Sequence, residues 1–152
     1  MKSSFLLALA VGAAAFVPAA SAAQQASPCG HVSRSVVQST LGISVSSTRS
    51  VPNPGSPGLT VCYFATATNP AAATVSFQTA SGKSTYASVL AQTTAHLAKM
   101  ISGLGDKAFY NASNPGGSTS LQVLKGNVLI SIYTPAPLSK VKALAKKVVA
   151  AL

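Results

Sequence analysis

Residues 120–134 read SLQVLKGNVLISIYT, and this stretch decides the fold class. Two apolar, β-branched runs, 120–125 and 128–134, flank Gly126-Asn127, a dipeptide suited to a two-residue hairpin turn. Pro135 and Pro137 end the sheet there. Residues 138–152 then read as a helix, with Leu138, Val141, Leu144, Ala145, Val148 and Leu152 on one face.

Upstream, residues 106–111 (DKAFYN) form a short strand, separated from the hairpin by a loop at 112–118 (ASNPGGS). Residues 84–101 carry Tyr86, Leu90, Thr93, Leu97 and Met100/Ile101 at helical spacing. One long helix is therefore predicted, ended by Gly103. Strands are predicted at 43–51, 59–65 and 74–79, the first two separated by a loop rich in proline and glycine and the last two by a turn at Asn69-Pro70. In the second of them, Leu59, Val61, Tyr63 and Ala65 share a face. Residues 28–41 make a first helix through Val32, Val36, Val37 and Leu41, with Gly42 as its terminator.

The expected order is α-βββ-α-βββ-α. It describes an α+β sandwich: an antiparallel sheet of about six strands with three helices packed on it. The periodic faces predict a core of Val61, Tyr63, Val75, Phe77, Leu90, Leu97, Val123, Ile130, Ile132, Leu144 and Val148.

The N-terminus carries an address. Lys2 precedes an apolar run from Phe5 to Val17, Pro18 ends it, and Ala20-Ser21-Ala22 is a small-x-small cleavage site. The run is shorter than the roughly 20 residues needed to span a bilayer. A cleaved signal peptide at 1–22 and a single exported domain at 23–152 are expected, periplasmic or extracellular. No cysteine follows the apolar run closely enough for lipidation. In an oxidising compartment the two cysteines, Cys29 and Cys62, allow one disulfide, which would stabilise the fold by roughly 3–4 kcal/mol. A metal pair or a reactive thiol is the competing reading. The separation does not fit CxxC, and His31 is only a lone third ligand.

Composition narrows the chemistry. The 152 residues carry eleven Lys/Arg and one acidic residue, a net charge of +10, and charged residues make up only 8%. Asp106 is the sole carboxylate side chain, so paired-carboxylate catalysis is excluded. No GxSxG nucleophile motif and no phosphate-binding loop is present. A His31/His96 pair assembled in space is the remaining catalytic option, against the ordinary reading of two surface histidines. Asp106 itself reads as a residue that holds backbone amides in its turn. Metal ligands are too few for a zinc site, and no cofactor is implied.

Lys140, Lys142, Lys146 and Lys147 cluster on the last helix and flank its apolar arc. Their stems can cover the rim of the core while the ammonium groups stay solvated. Alternatively they are polyanion contacts, for an anionic envelope polymer or a membrane surface. No aromatics interleave with them, which argues against specific nucleic-acid binding.

Cys29 ahead of a helix ending Thr40-Leu41-Gly42, Cys62-Tyr63 in a strand, the segment GLGDKAFY at 103–110 and the hairpin at 121–132 follow one another in an order that resembles small secreted bacterial proteins and lipoproteins with PsbP-like α/β/α sandwich folds. The resemblance implies the same sandwich and carries no activity with it. The lipid-bearing cysteine of the lipoproteins is absent, so membrane anchoring does not carry over. The functional expectation is a small exported envelope protein that binds an anionic surface or a secreted protein partner without catalysis. The alternative is a secreted enzyme or enzyme inhibitor whose site forms only in the folded chain.

Overall fold

The structure, a computed structural model, describes residues 27–93, 97–111 and 117–152. The expected signal segment, His96 and most of the 112–118 loop lie outside the described residues. A short 3-10 turn, Pro28–His31, leads into α1 (Arg34–Leu41), then β1 (Ser47–Pro52), β2 (Leu59–Ala65), β3 (Ala73–Gln78) and α2 (Gly82–Gln92). Next come β4 (Ala98–Ile101), β5 (Lys107–Asn111), β6 (Thr119–Lys125), β7 (Val128–Thr134) and α3 (Leu138–Ala150).

All seven strands join one antiparallel sheet in the order β1-β2-β3-β7-β6-β5-β4. Two meanders meet where β3 pairs with β7, so the hairpin that decides the fold class also supplies a central strand. The fold is α+β as expected, with seven strands where the sequence predicts about six.

The extra strand corrects the long helix predicted over 84–101. The helix stops at Gln92, where Thr93 turns extended and donates its hydroxyl back to the Val89 carbonyl at 2.8 Å. Ala98–Ile101 instead pairs with β5. No glycine or proline marks the break, and the apolar spacing runs through it, so the periodicity merged a helix with an edge strand. Gly103 and Gly105, with φ of 70° and 59°, turn the β4–β5 connection.

The first predicted helix also divides. Ser33 interrupts it by capping α1, its hydroxyl accepting the Val36 amide at 3.2 Å. The 3-10 turn before it is fastened to β2 by the Cys29–Cys62 disulfide, Cα–Cα 5.6 Å, which closes a separation of 33 residues.

The two sheet faces are covered unequally. On one, α1 packs on α3, and Val37, Leu41, Val141, Leu144, Ala145 and Val148 close over Phe64, Val75, Phe77, Val123, Ile130 and Ile132. On the other, α2 is the one helix among the described residues, and it packs on β6 and β7, burying Tyr86 with Phe109, Leu124 and Leu129. Seven of the eleven predicted core residues are fully buried: Val75, Phe77, Val123, Ile130, Ile132, Leu144 and Val148. Val61, Tyr63, Leu90 and Leu97 are only half-buried. In β2 it is Cys62 and Phe64 that face the core. The reason is register: Val61 and Tyr63 point to the α2 side, where α2 packs on β6 and β7 rather than on β2. Leu97 sits at the mouth of β4 rather than on a helix.

Among the described residues, no helix is long and apolar enough to cross a membrane, and no group of His, Cys, Asp or Glu is placed to hold a metal.

Candidate functional site: the uncovered half of the sheet

Seven strands at about 4.8 Å spacing make a sheet roughly 29 Å wide. A single helix about 10 Å across covers only part of one face. Among the described residues α2 is the one helix on that side, so much of the face carries no helix, and strand register names what stands there. One row across the strands runs Arg49, Tyr63, Thr74, Tyr133, Ser120, and the next runs Val51, Val61, Ser76, Ser131, Gln122. Tyr133 is 44% exposed, a large aromatic side chain partly open to solvent. The Arg49 guanidinium stacks on the Tyr63 ring at 4.8 Å.

Between this face, α2 and the β1–β2 loop runs a groove of about 560 Å³. Its polar walls are Ser56, Ser76, Gln78, Ser81, Thr85, Gln122 and Ser131, and no charged side chain is among the described residues that line it. Several of these side chains are held by hydrogen bonds. Ser131 Oγ donates to Gln122 Oε1, the Ser81 and Thr85 hydroxyls share a hydrogen bond of 3.1 Å, and Gln78 Oε1 accepts the Ala80 amide at 3.2 Å. A second depression of about 320 Å³ opens at Arg49, Tyr63 and Pro70 on the same face. Another depression, of about 740 Å³, lies elsewhere, at the β1 edge, lined by Ser27, Pro28, Ser50 and Thr60 among others.

The residues singled out in the sequence fall in other places. Asp106 holds backbone, though in the neighbouring turn rather than its own: its Oδ2 accepts the Gly126 amide at 2.6 Å, and its own amide donates to the Leu124 carbonyl at 2.8 Å. Lys125 approaches its other oxygen at 3.7 Å, with both side chains half exposed. Such an exposed pair adds little stability, so the link between the β4–β5 and β6–β7 turns rests on the amide bonds. His31 is exposed, its ring 6.5 Å from that of Phe77. His96 lies outside the described residues, so the proposed histidine pair has no described geometry.

The lysine cluster divides. Lys140 Nζ donates to the Leu41 carbonyl at 2.8 Å, and Lys147 Nζ to the Thr40 hydroxyl at 3.1 Å. Both ammonium groups thus sit at the C-terminus of α1, where unpaired carbonyls and the negative end of the helix dipole favour a cation. Half-buried Lys142 and exposed Lys146 lie off that contact.

Sequence reasoning did not single out Ser76, Gln122 or Ser131. The signal was present: in β6 and β7 these polar residues alternate with Leu121, Val123, Ile130 and Ile132, which marks a sheet face turned away from the core.

No family model matches the chain, and no curated protein does. Among solved structures, a GTP binding regulator from Thermotoga maritima is similar at a TM-score of 0.48 and 14% identity, covering 76% of this chain and 86% of that one. A likeness this distant carries no argument about function.

Proposed function

We propose that this protein is an exported, non-catalytic binding module of the bacterial envelope, and that it binds through the bare half of its sheet. The observation that supports the reading is the unequal covering of the two faces. Where one face is sealed by two helices, the other presents a groove with converging polar groups and an exposed tyrosine. The signal-like N-terminus and the disulfide accord with export. The sole carboxylate is engaged in a turn, where it holds the Gly126 amide and faces Lys125.

The test is co-sedimentation of the exported protein with protein-free bacterial cell-wall material. Retention is expected, together with loss of retention in Tyr133→Ala and no release of soluble fragments from the wall. Retention that ignores the Tyr133 change, or steady release of fragments, overturns the reading.

A second reading, attraction to anionic envelope polymers or membrane surfaces, is favoured by the net charge of +10 against a single acid. It puts the contacts on the surface lysines rather than in the groove, and sedimentation with anionic vesicles tests it.

A further inference from the structure

Resting on the proposed binding role of the sheet face, we infer that the groove takes an uncharged, extended oligosaccharide. The argument begins with charge. In a chain of net charge +10, a groove of about 560 Å³ has no charged side chain among the described residues that line it. An anionic ligand such as a phosphate group, lipid headgroup or nucleic acid finds no cation inside it to offset the loss of water. A cationic ligand finds no carboxylate.

What the groove does offer is hydroxyl and carboxamide groups. Ser76, Ser131 and Gln122 stand side by side on three adjacent strands, about 9.6 Å from first to last. Each of these side chains can both donate and accept, as a sugar hydroxyl does. Leu59 and Val89, both half-buried, stand beside them and offer apolar surface to the C–H faces of a sugar ring. A peptide is a poorer match. It would recruit unpaired backbone at a sheet edge, whereas this groove lies over β3, β7 and β6, whose backbones are already paired on both sides.

Tyr133 extends the site. It follows Ser131 by two residues on the same face, roughly 6.8 Å along the strand, and it is 44% exposed. An aromatic ring there can stack on a sugar unit that continues out of the groove, so the ligand is a chain rather than a monosaccharide.

The experiment is calorimetric titration of the exported protein with the β-1,4-linked hexamer of N-acetylglucosamine. Its fully deacetylated, cationic form and a hexamer of galacturonic acid serve as charged controls. The uncharged hexamer is expected to bind, with an affinity unchanged between about 0.05 and about 0.5 M salt, because no screened charge takes part. The paired change Ser131→Val with Gln122→Leu, which keeps β-forming side chains, should weaken binding at least tenfold. Tyr133→Ala, at an exposed position that the core does not need, should weaken it several-fold at an unchanged Tm. Lys142→Gln with Lys146→Gln should leave it unaltered. Binding of the galacturonate hexamer alone, or loss of binding in high salt, overturns the inference. If the cell wall still retains the protein through Tyr133 while the uncharged hexamer does not bind, the ligand class fails and the binding role stands. If neither binds, both fail.

Discussion

Tyr86 packs edge-on against Phe109, ring centroids 5.3 Å apart, and its hydroxyl is buried without a hydrogen-bond partner among the described residues. An orphaned buried hydroxyl costs free energy, so Tyr86→Phe should raise stability by about 1 kcal/mol. Thermal melts of the two proteins at neutral pH will show it as a higher Tm in the variant. Burial also raises the Tyr86 pKa above its usual value of 10.0, by desolvating the phenolate. Up to that pH the group is protonated in both states and has no effect. Above it the unfolded chain ionises first, so stability falls as pH climbs through the raised folded value. The advantage of Tyr86→Phe should therefore widen in alkaline melts, and an advantage that is flat or shrinking above that point would contradict the buried, unpartnered phenol. Gly42 is a second residue with a single reason for its identity. It ends α1 at φ 73°, and a Cβ there would stand 2.8 Å from Lys140 Nζ. Gly42→Ala should cost about 1–2 kcal/mol in backbone strain alone, with a further loss as Lys140 is displaced from the Leu41 carbonyl.

The elements differ in how much of the molecule depends on them. α3 is 13 residues long and buries Val141, Leu144, Ala145 and Val148 against the sheet and α1. Leu144→Ala removes a wholly buried side chain and should cost about 2–5 kcal/mol in denaturant unfolding. Leu97→Ala should cost clearly less, since Leu97 is half-buried at the mouth of an edge strand. Equal losses at the two sites would place Leu97 back in a packed helix. This pair of residues also marks what could be read in advance. The bounds of strands closed by turn residues, such as β2, β6 and β7, were legible nearly to the residue, although the alternation in β2 put Val61 and Tyr63 in the core in place of Cys62 and Phe64. α2 and β4 were not, because a four-residue edge strand leaves Lys99 and Met100 exposed and so carries too few buried positions to show a period of two. The groove was half legible. Alternation assigns Gln122 and Ser131 to the outer face, but only the shortness of α2 and the strand order bring Ser76 beside them, and both depend on long-range pairing.

At the scale of the whole molecule, charge and the disulfide act on different quantities. The Cys29–Cys62 bond constrains the unfolded chain over 33 residues, and its reduction should cost about 3–4 kcal/mol without altering the sheet face. Charge governs what the surface attracts. Read from the sequence, four lysines on α3 could together supply about 4 kcal/mol toward an anionic membrane. The structure divides them: Lys140 and Lys147 are committed to the end of α1, which leaves Lys142 and Lys146. Two such contacts amount to about 2 kcal/mol, short of the roughly 4 kcal/mol that millimolar affinity requires. Sedimentation with anionic phospholipid vesicles should therefore detect, at most, an association that vanishes at physiological salt, where exposed charges are screened within about 8 Å. The two lysine pairs should also separate in a melt. Lys142→Gln with Lys146→Gln should leave Tm nearly unchanged, whereas Lys140→Gln with Lys147→Gln should lower it by several degrees, because it uncaps α1 against α3. Vesicle binding that persists at physiological salt and is lost in the Lys142/Lys146 variant alone would move the functional surface from the sheet to the last helix.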